Sequence, residues 1–250
     1  MTTDSLATPD DAAAHLEAPA ADTGLAAWLA EVSQHLLPDG NAGLTTDLVV
    51  QRALEVIPKA DGCGLTLRGR RGVLGTAAST SEQVSQADHA QYDLDEGPCL
   101  ESAEGAGSFR SHDLAADSRW SRWSPRAVEI GFRSVLSIRL HTEREEIGAI
   151  NLYAADPHAF DDDAVNVAEV YASLAASALS QAKLVEGLRT AVDSRHQIGV
   201  AQGILMARYA LRTDQAFEVL RRLSNDHNLP LRQVAARIVE VVGIPEEMAR

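Results

Sequence analysis

Aromatic residues make up only 4% of the 250 positions, and the chain holds just two cysteines, Cys63 and Cys99. So few Tyr and Trp weigh against a β-sandwich, and the abundance of alanine favours helices packed through small side chains. Two cysteines cannot build a disulfide framework or a four-ligand zinc site, which sets the expectation of a cytoplasmic protein. No Lys or Arg precedes Arg52, so the basic segment of a secretory signal is missing. No apolar run approaches the ~18 residues that a membrane span requires, so no membrane association is expected. Bases are outnumbered, 22 against 36 acids. The resulting charge of -14 argues against a protein that coats nucleic acid with its whole surface and leaves room only for a local basic patch.

The usual signatures of catalysis are missing as well. There is no GxGxxG after a strand, no GxxxxGK[ST] loop and no GxSxG elbow, so dinucleotide redox chemistry, nucleotide hydrolysis and serine hydrolysis lose their sequence basis. The eight histidines show no metal-binding spacing, and no metal centre is expected. Asp161, Asp162 and Asp163 are explained by the start of a helix, without acid-base chemistry. Cys63 opens a strand and Cys99 follows Gly97-Pro98; both read as small buried hydrophobes, although a redox role for either is left open. The sequence therefore predicts a protein that is not an enzyme.

What is present divides the chain by pattern. Residues 1–23 carry few large apolar side chains and are expected to be a disordered tail. Leu25, Trp28, Leu29, Val32 and Leu36 then recur at helical spacing up to Pro38, and Leu48, Val49, Ala53, Leu54, Val56 and Ile57 mark a second helix. Alternation over Cys63 to Leu67, a glycine turn, and Val73 to Thr80 predict a hairpin. Ser134 to Leu140 and Glu146 to Tyr153 predict a second, with a short strand around Ser108 to His112 between them. An uninterrupted helix is expected from Asp161 onwards. In it Tyr171, Leu174, Ala178, Gln181, Val185, Leu188 and Val192 form a heptad seam. Up to Ala178 that seam should lie on the chain's own sheet. Beyond Gln181 the residues Val185, Leu188 and Val192 are expected to meet a second copy of the chain. Three short helical stripes follow, the second opening after a cap at Thr213-Asp214.

The run Ile198-Gly199-Val200-Ala201-Gln202-Gly203-Ile204-Leu205-Met206, then Ala216 to Arg221, then Asn228 to Ala235, closely resembles the ANTAR family. That resemblance implies a three-helix RNA-binding module that acts in transcription antitermination, recognising paired hairpins in leader RNA, usually as a dimer. Residues 25–180 are similar to GAF domains, chiefly through Gly148-Ala149-Ile150-Asn151-Leu152-Tyr153 and Phe160-Asp161-Asp162. This implies an antiparallel sheet with helices on its faces and a pocket for a small ligand. No motif selects a bilin, a haem or a cyclic nucleotide, so the cofactor stays unknown. His112 could be nominated for haem but reads better as a surface histidine.

The expected fold is thus α+β: a GAF-like antiparallel sheet with flanking helices over residues 24–180, a helical coiled-coil linker over 181–193, an all-α three-helix ANTAR bundle over 194–243, and a tail over 244–250. Residues 181–250 hold ten bases and eight acids, a net +2, while the rest carries -16. The candidate RNA-binding residues are Arg208, Tyr209, Arg212, Arg222, Arg232, Gln233 and Arg237, because guanidinium groups bind phosphate and, like tyrosine rings, stack on unpaired bases. Ala201, Gly203, Ala216 and Ala235 are expected where helices approach closely, with Leu205, Met206, Leu220 and Leu231 filling the core. The expected partners are leader RNA, the transcription machinery, a second copy of the chain and a small molecule in the GAF pocket. The alternatives are a DNA-binding helix-turn-helix-like regulator, since the turn Asp226 to Pro230 joins two helices, or a dimerisation scaffold.

Overall fold

The computed structural model describes residues 32–33, 36, 44–69 and 72–242. The expected tails over 1–23 and 244–250 lie outside the described residues, as does the first expected helix apart from Val32, Ser33 and Leu36. Val32 and Leu36 are both buried. The chain divides into two compact units, Met1–Ala182 and Lys183–Arg250.

In the first unit, helix α1 (Thr46–Val56) starts where the Thr45 hydroxyl accepts the Leu48 N–H, a side-chain cap. Strands β1 (Gly62–Arg68), β2 (Leu74–Ser79), β3 (Phe109–Ser111), β4 (Ser134–His141) and β5 (Glu146–Ala154) form one antiparallel sheet in the order β2-β1-β5-β4-β3. Between β2 and β3 come α2 (Glu82–Leu94), the short α3 (Pro98–Glu101) and a single π-type turn over Ser102–Ala106. Helix α4 (Trp123–Ile130) precedes β4.

Alternation along the strands separates two faces. Leu65 of β1, Leu136, Ile138 and Leu140 of β4, and Ile150 and Leu152 of β5 join α1 and the first part of helix α5 (Asp162–Tyr209) in the main core. Tyr171 belongs there, its hydroxyl donating to the Val49 carbonyl at 2.6 Å. On the other face, Val135 and Tyr153 pack with Val84, Ala87, Trp120 and Trp123 in a second core. Gly148 closes the pairing of β1 with β5: its φ is +154°, and a Cβ there would overlap the Thr66 carbonyl.

The second unit contains the end of α5, then α6 (Thr213–Asp226) and α7 (Leu231–Val241). The cap expected at Thr213-Asp214 falls one residue earlier. Arg212 is the N-cap residue, its N–H donates to Gln215 Oε1 at 3.0 Å, and Thr213 and Asp214 are already helical. The reason is that Gln215, three residues on, supplies the acceptor for the cap's backbone N–H.

Candidate functional site

The second unit is organised around Ala201, Leu205, Ala216, Leu220, Leu223, Val234, Ala235 and Ile238, all buried, with Met206 and Leu231 packed against them. Seven of the eight residues expected in this core are therefore together. Gly203 is the exception: it is exposed, and a Cβ placed there would meet nothing within 4 Å. It is no close-approach position. Gly203 lines an open groove of ≈ 600 Å³ with Val200, Ile204, Ala207, Arg208 and Val242. A neighbouring groove of ≈ 490 Å³ is lined by Val192, Arg195, His196, Gly199 and Val200.

The candidate RNA-binding side chains stand outside the core. Arg208 Nη1 donates to the Val242 carbonyl at 2.5 Å, so this arginine ties α5 to the end of α7. Arg212 pairs with Asp214 at 3.2 Å. Arg222 on α6 and Arg232 on α7 are exposed and make no ion pair among the described residues. Gln233 and Arg237 stand on the outward side of α7 beside the buried stripe of Val234, Ala235 and Ile238, and Tyr209 is 43% exposed. The heptad residues beyond the sheet are bare: Val185, Leu188 and Val192 are 46%, 59% and 68% exposed. Leu184 and Val200 extend this apolar surface.

In the first unit, the sheet face beneath α2 and α3 carries a buried polar cluster. Asp88 is fully buried, and its Oδ1 accepts from Tyr153 OH at 2.7 Å and Asn151 Nδ2 at 3.0 Å. Thr76 Oγ1 donates to Asp88 Oδ2 at 3.3 Å. Tyr92 OH lies 2.9 Å from Thr76 Oγ1 and 2.7 Å from Thr66 Oγ1. Cys99 Sγ donates to Thr66 Oγ1 at 3.1 Å, and Ser137 Oγ to Asn151 Oδ1 at 2.7 Å. Gln91 bridges the cluster, donating to Tyr153 OH and accepting the Cys99 N–H.

Burial pushes Asp88 up to about 6 against the hydrogen bonds from Tyr153, Asn151 and Thr76. Burial, helped by the Asp88 charge, pushes the Cys99 thiol up to about 12 and Cys63 well above its ordinary value. Neither environment makes a thiolate, the form that reacts. Sequence reading noticed Cys99 and missed Asp88, which shares the inward stripe of α2 with Val84, Ala87 and Gln91, a spacing that was the available signal. The nominated His112 is exposed and stacks on His158 with ring centroids 5.3 Å apart, away from this cluster. Among the described residues no group of three or more His, Cys, Asp or Glu could hold a metal ion.

Comparison with known protein families matches residues 45–180 to the GAF domain and residues 186–239 to the ANTAR domain. Among solved structures, the bacteriophytochrome RpBphP3 from R. palustris is 11% identical with a TM-score of 0.51, over 75% of this chain and 44% of that one. The GAF domain of an Acinetobacter phosphoenolpyruvate-protein phosphotransferase is 15% identical with a TM-score of 0.46, over 63% of this chain and 93% of that one. A type II free methionine-R-sulfoxide reductase from Thermoplasma acidophilum is 20% identical with a TM-score of 0.44, over 54% and 89%. Such low identities speak to the fold alone. No relative was found among curated proteins.

Proposed function

This chain belongs to the GAF domain family and carries a C-terminal ANTAR domain, and from that premise we propose that it is an RNA-binding transcription antitermination regulator under the control of its GAF unit. Both domains are regulatory rather than catalytic. The observation that supports RNA binding best is the match over residues 186–239, together with a bundle whose core is assembled from those same helices. Arg208, Tyr209, Arg212, Arg222, Arg232, Gln233 and Arg237 are the proposed contacts. Arg222 and Arg232 are the strongest of them, since exposed guanidinium groups without a carboxylate partner can bind phosphate with no ion pair to break.

A second copy of the chain is the proposed partner for Val185, Leu188 and Val192. Their heptad spacing continues the seam that the sheet covers as far as Ala178, and three exposed apolar side chains in one row favour burial. A dimer would present two RNA sites, so the second hairpin would bind intramolecularly once the first is held. The GAF unit would act by changing the pairing of α5. Among the described residues no helix is long and apolar enough to cross a membrane, which suits a regulator of transcripts in the cytoplasm.

The test is equilibrium binding of the full chain to an RNA of two linked hairpins, in competition with duplex DNA, at several stated salt concentrations. Preference for the RNA, weakened uniformly by Arg222→Ala and Arg232→Ala, is the expected result. Preference for the duplex would favour a DNA-binding regulator, and no salt-dependent binding of either would favour a dimerisation scaffold.

A further inference from the structure

The polar cluster of the first unit contains a charge problem that its geometry solves in two ways. Asp88 projects from α2 between three strands, with Gly64 of β1 beneath it, Thr76 of β2 beside it, and Asn151 and Tyr153 of β5 donating to it. A Cβ at Gly64 would overlap the carboxylate, so Asp88, with Val84 beside it over Gly62 and Gly64, seats α2 directly on β1. Among the described residues no Lys or Arg bonds to Asp88. A buried carboxylate without a cation is costly, and the cost vanishes when it is neutral.

Other titratable groups do little to offset that charge. His89 and Tyr92 lie on α2 itself, Tyr153 faces Asp88 from β5, Cys99 from α3, and Cys63 from β1, while β2 brings only the neutral Thr76. On α4, Arg126 and Glu129 pair with each other at the surface.

The hydroxyls around Asp88 form a chain that works in either direction. With Asp88 ionised, Thr66 donates to Tyr92, Tyr92 to Thr76, and Thr76 to Asp88. Geometry allows either oxygen to be the donor in both Tyr92 contacts. With Asp88 protonated, its Oδ2–H donates to Thr76, Thr76 to Tyr92, and Tyr92 to Thr66. The three contacts from Asp88 to Thr66 keep their heavy-atom positions, and at the far end Thr66 turns its own proton toward Cys99 Sγ, 3.1 Å away, so that this contact reverses as well.

We propose that Asp88 is a proton-operated clamp: taking up one proton reverses the hydroxyl chain and tightens α2 onto β1, β2 and β5, and losing it loosens that docking. The proton is then an input to the sensor unit, an inference that does not depend on the RNA reading.

The sign follows from linkage. Burial holds Asp88 near 6, against an ordinary value of 3.8, so the folded unit binds the proton more tightly than the opened one. The stabilisation is complete below pH 3.8 and lost as pH rises through about 6. The opening equilibrium of α2 should change by about 100-fold across that range.

Two measurements on the full chain test this. Carbon-13 NMR of the Asp88 carboxyl should give a titration midpoint near 6; a midpoint near 4 would overturn the clamp. Hydrogen exchange of α2 amides, corrected for intrinsic rates, should show protection falling from pH 5 to pH 7.5 in the natural protein and staying level in Asp88→Asn. Equal pH dependence in the two would also overturn it. If Asp88→Asn does not fold, Tyr153→Phe removes a donor to the carboxylate and should move the midpoint upwards, and an unmoved midpoint counts against the clamp.

Discussion

At the scale of single residues, carboxylates in the first unit respond to pH in opposite directions. Asp117 is held down at about 2 by the hydrogen bonds from Arg119, and Asp113 is held low by those from Arg133. Groups lowered in the fold contribute stability above their unfolded value and lose it as pH falls through the folded one. Asp88, raised to about 6, does the reverse. The unit should therefore be most stable near pH 5, where Asp88 is mostly protonated and the paired acids remain ionised, and a series of thermal melts from pH 3 to pH 8 would show it. Two steric predictions belong here. Gly148→Ala would press a Cβ into the Thr66 carbonyl at φ +154° and should destabilise by more than ~3 kcal/mol in denaturant unfolding. Ala216→Leu should overpack the fully buried site on α6 and cost about 1 to 3 kcal/mol, with a fall in RNA affinity that follows from stability rather than from a lost contact.

At the scale of elements, α5 does two jobs with one apolar repeat. Tyr171 is buried and Leu174 and Ala178 pack against the same core, so the heptad positions on the sheet are satisfied within the chain. The same repeat continues as Val185, Leu188 and Val192, now exposed. Helix α5 was legible in the sequence because no proline interrupts it and the Asp161 carboxylate caps it, accepting the Ala164 N–H at 2.9 Å. A seam states that something apolar must cover the exposed half, and the second copy of the chain expected from the heptad spacing is the proposed cover. If a second copy covers this row, the natural protein should show a dimer in sedimentation equilibrium, and replacing Leu188 by Glu should lower its fraction without changing the melting of the first unit. A dimer fraction equal to that of the natural protein would place the contact elsewhere.

At the scale of the whole molecule, the proposal joins an acidic sensing unit to an RNA-binding bundle on one chain. If Arg222 and Arg232 each contact one phosphate, each alanine substitution should reduce the slope of log affinity against log salt by about 0.7 to 0.9. An unchanged slope for both would remove them from the interface. The amino-acid sequence alone determined the two hairpins of the antiparallel sheet, the uninterrupted α5 and most of the bundle core, because each depends on local periodicity and on breakers such as Pro230, while α2, α3 and α4 had no counterpart in that reading. Only the tertiary structure decided the rest. It placed Gly203 on an open groove, moved the α6 cap to Arg212, and buried Asp88 against Gly64, Thr76, Asn151 and Tyr153, the last of them 65 positions from Asp88 in the chain. A carboxylate's charge is set by the company it keeps in space, and that company is gathered by the packing of a helix across three strands, which local pattern does not encode.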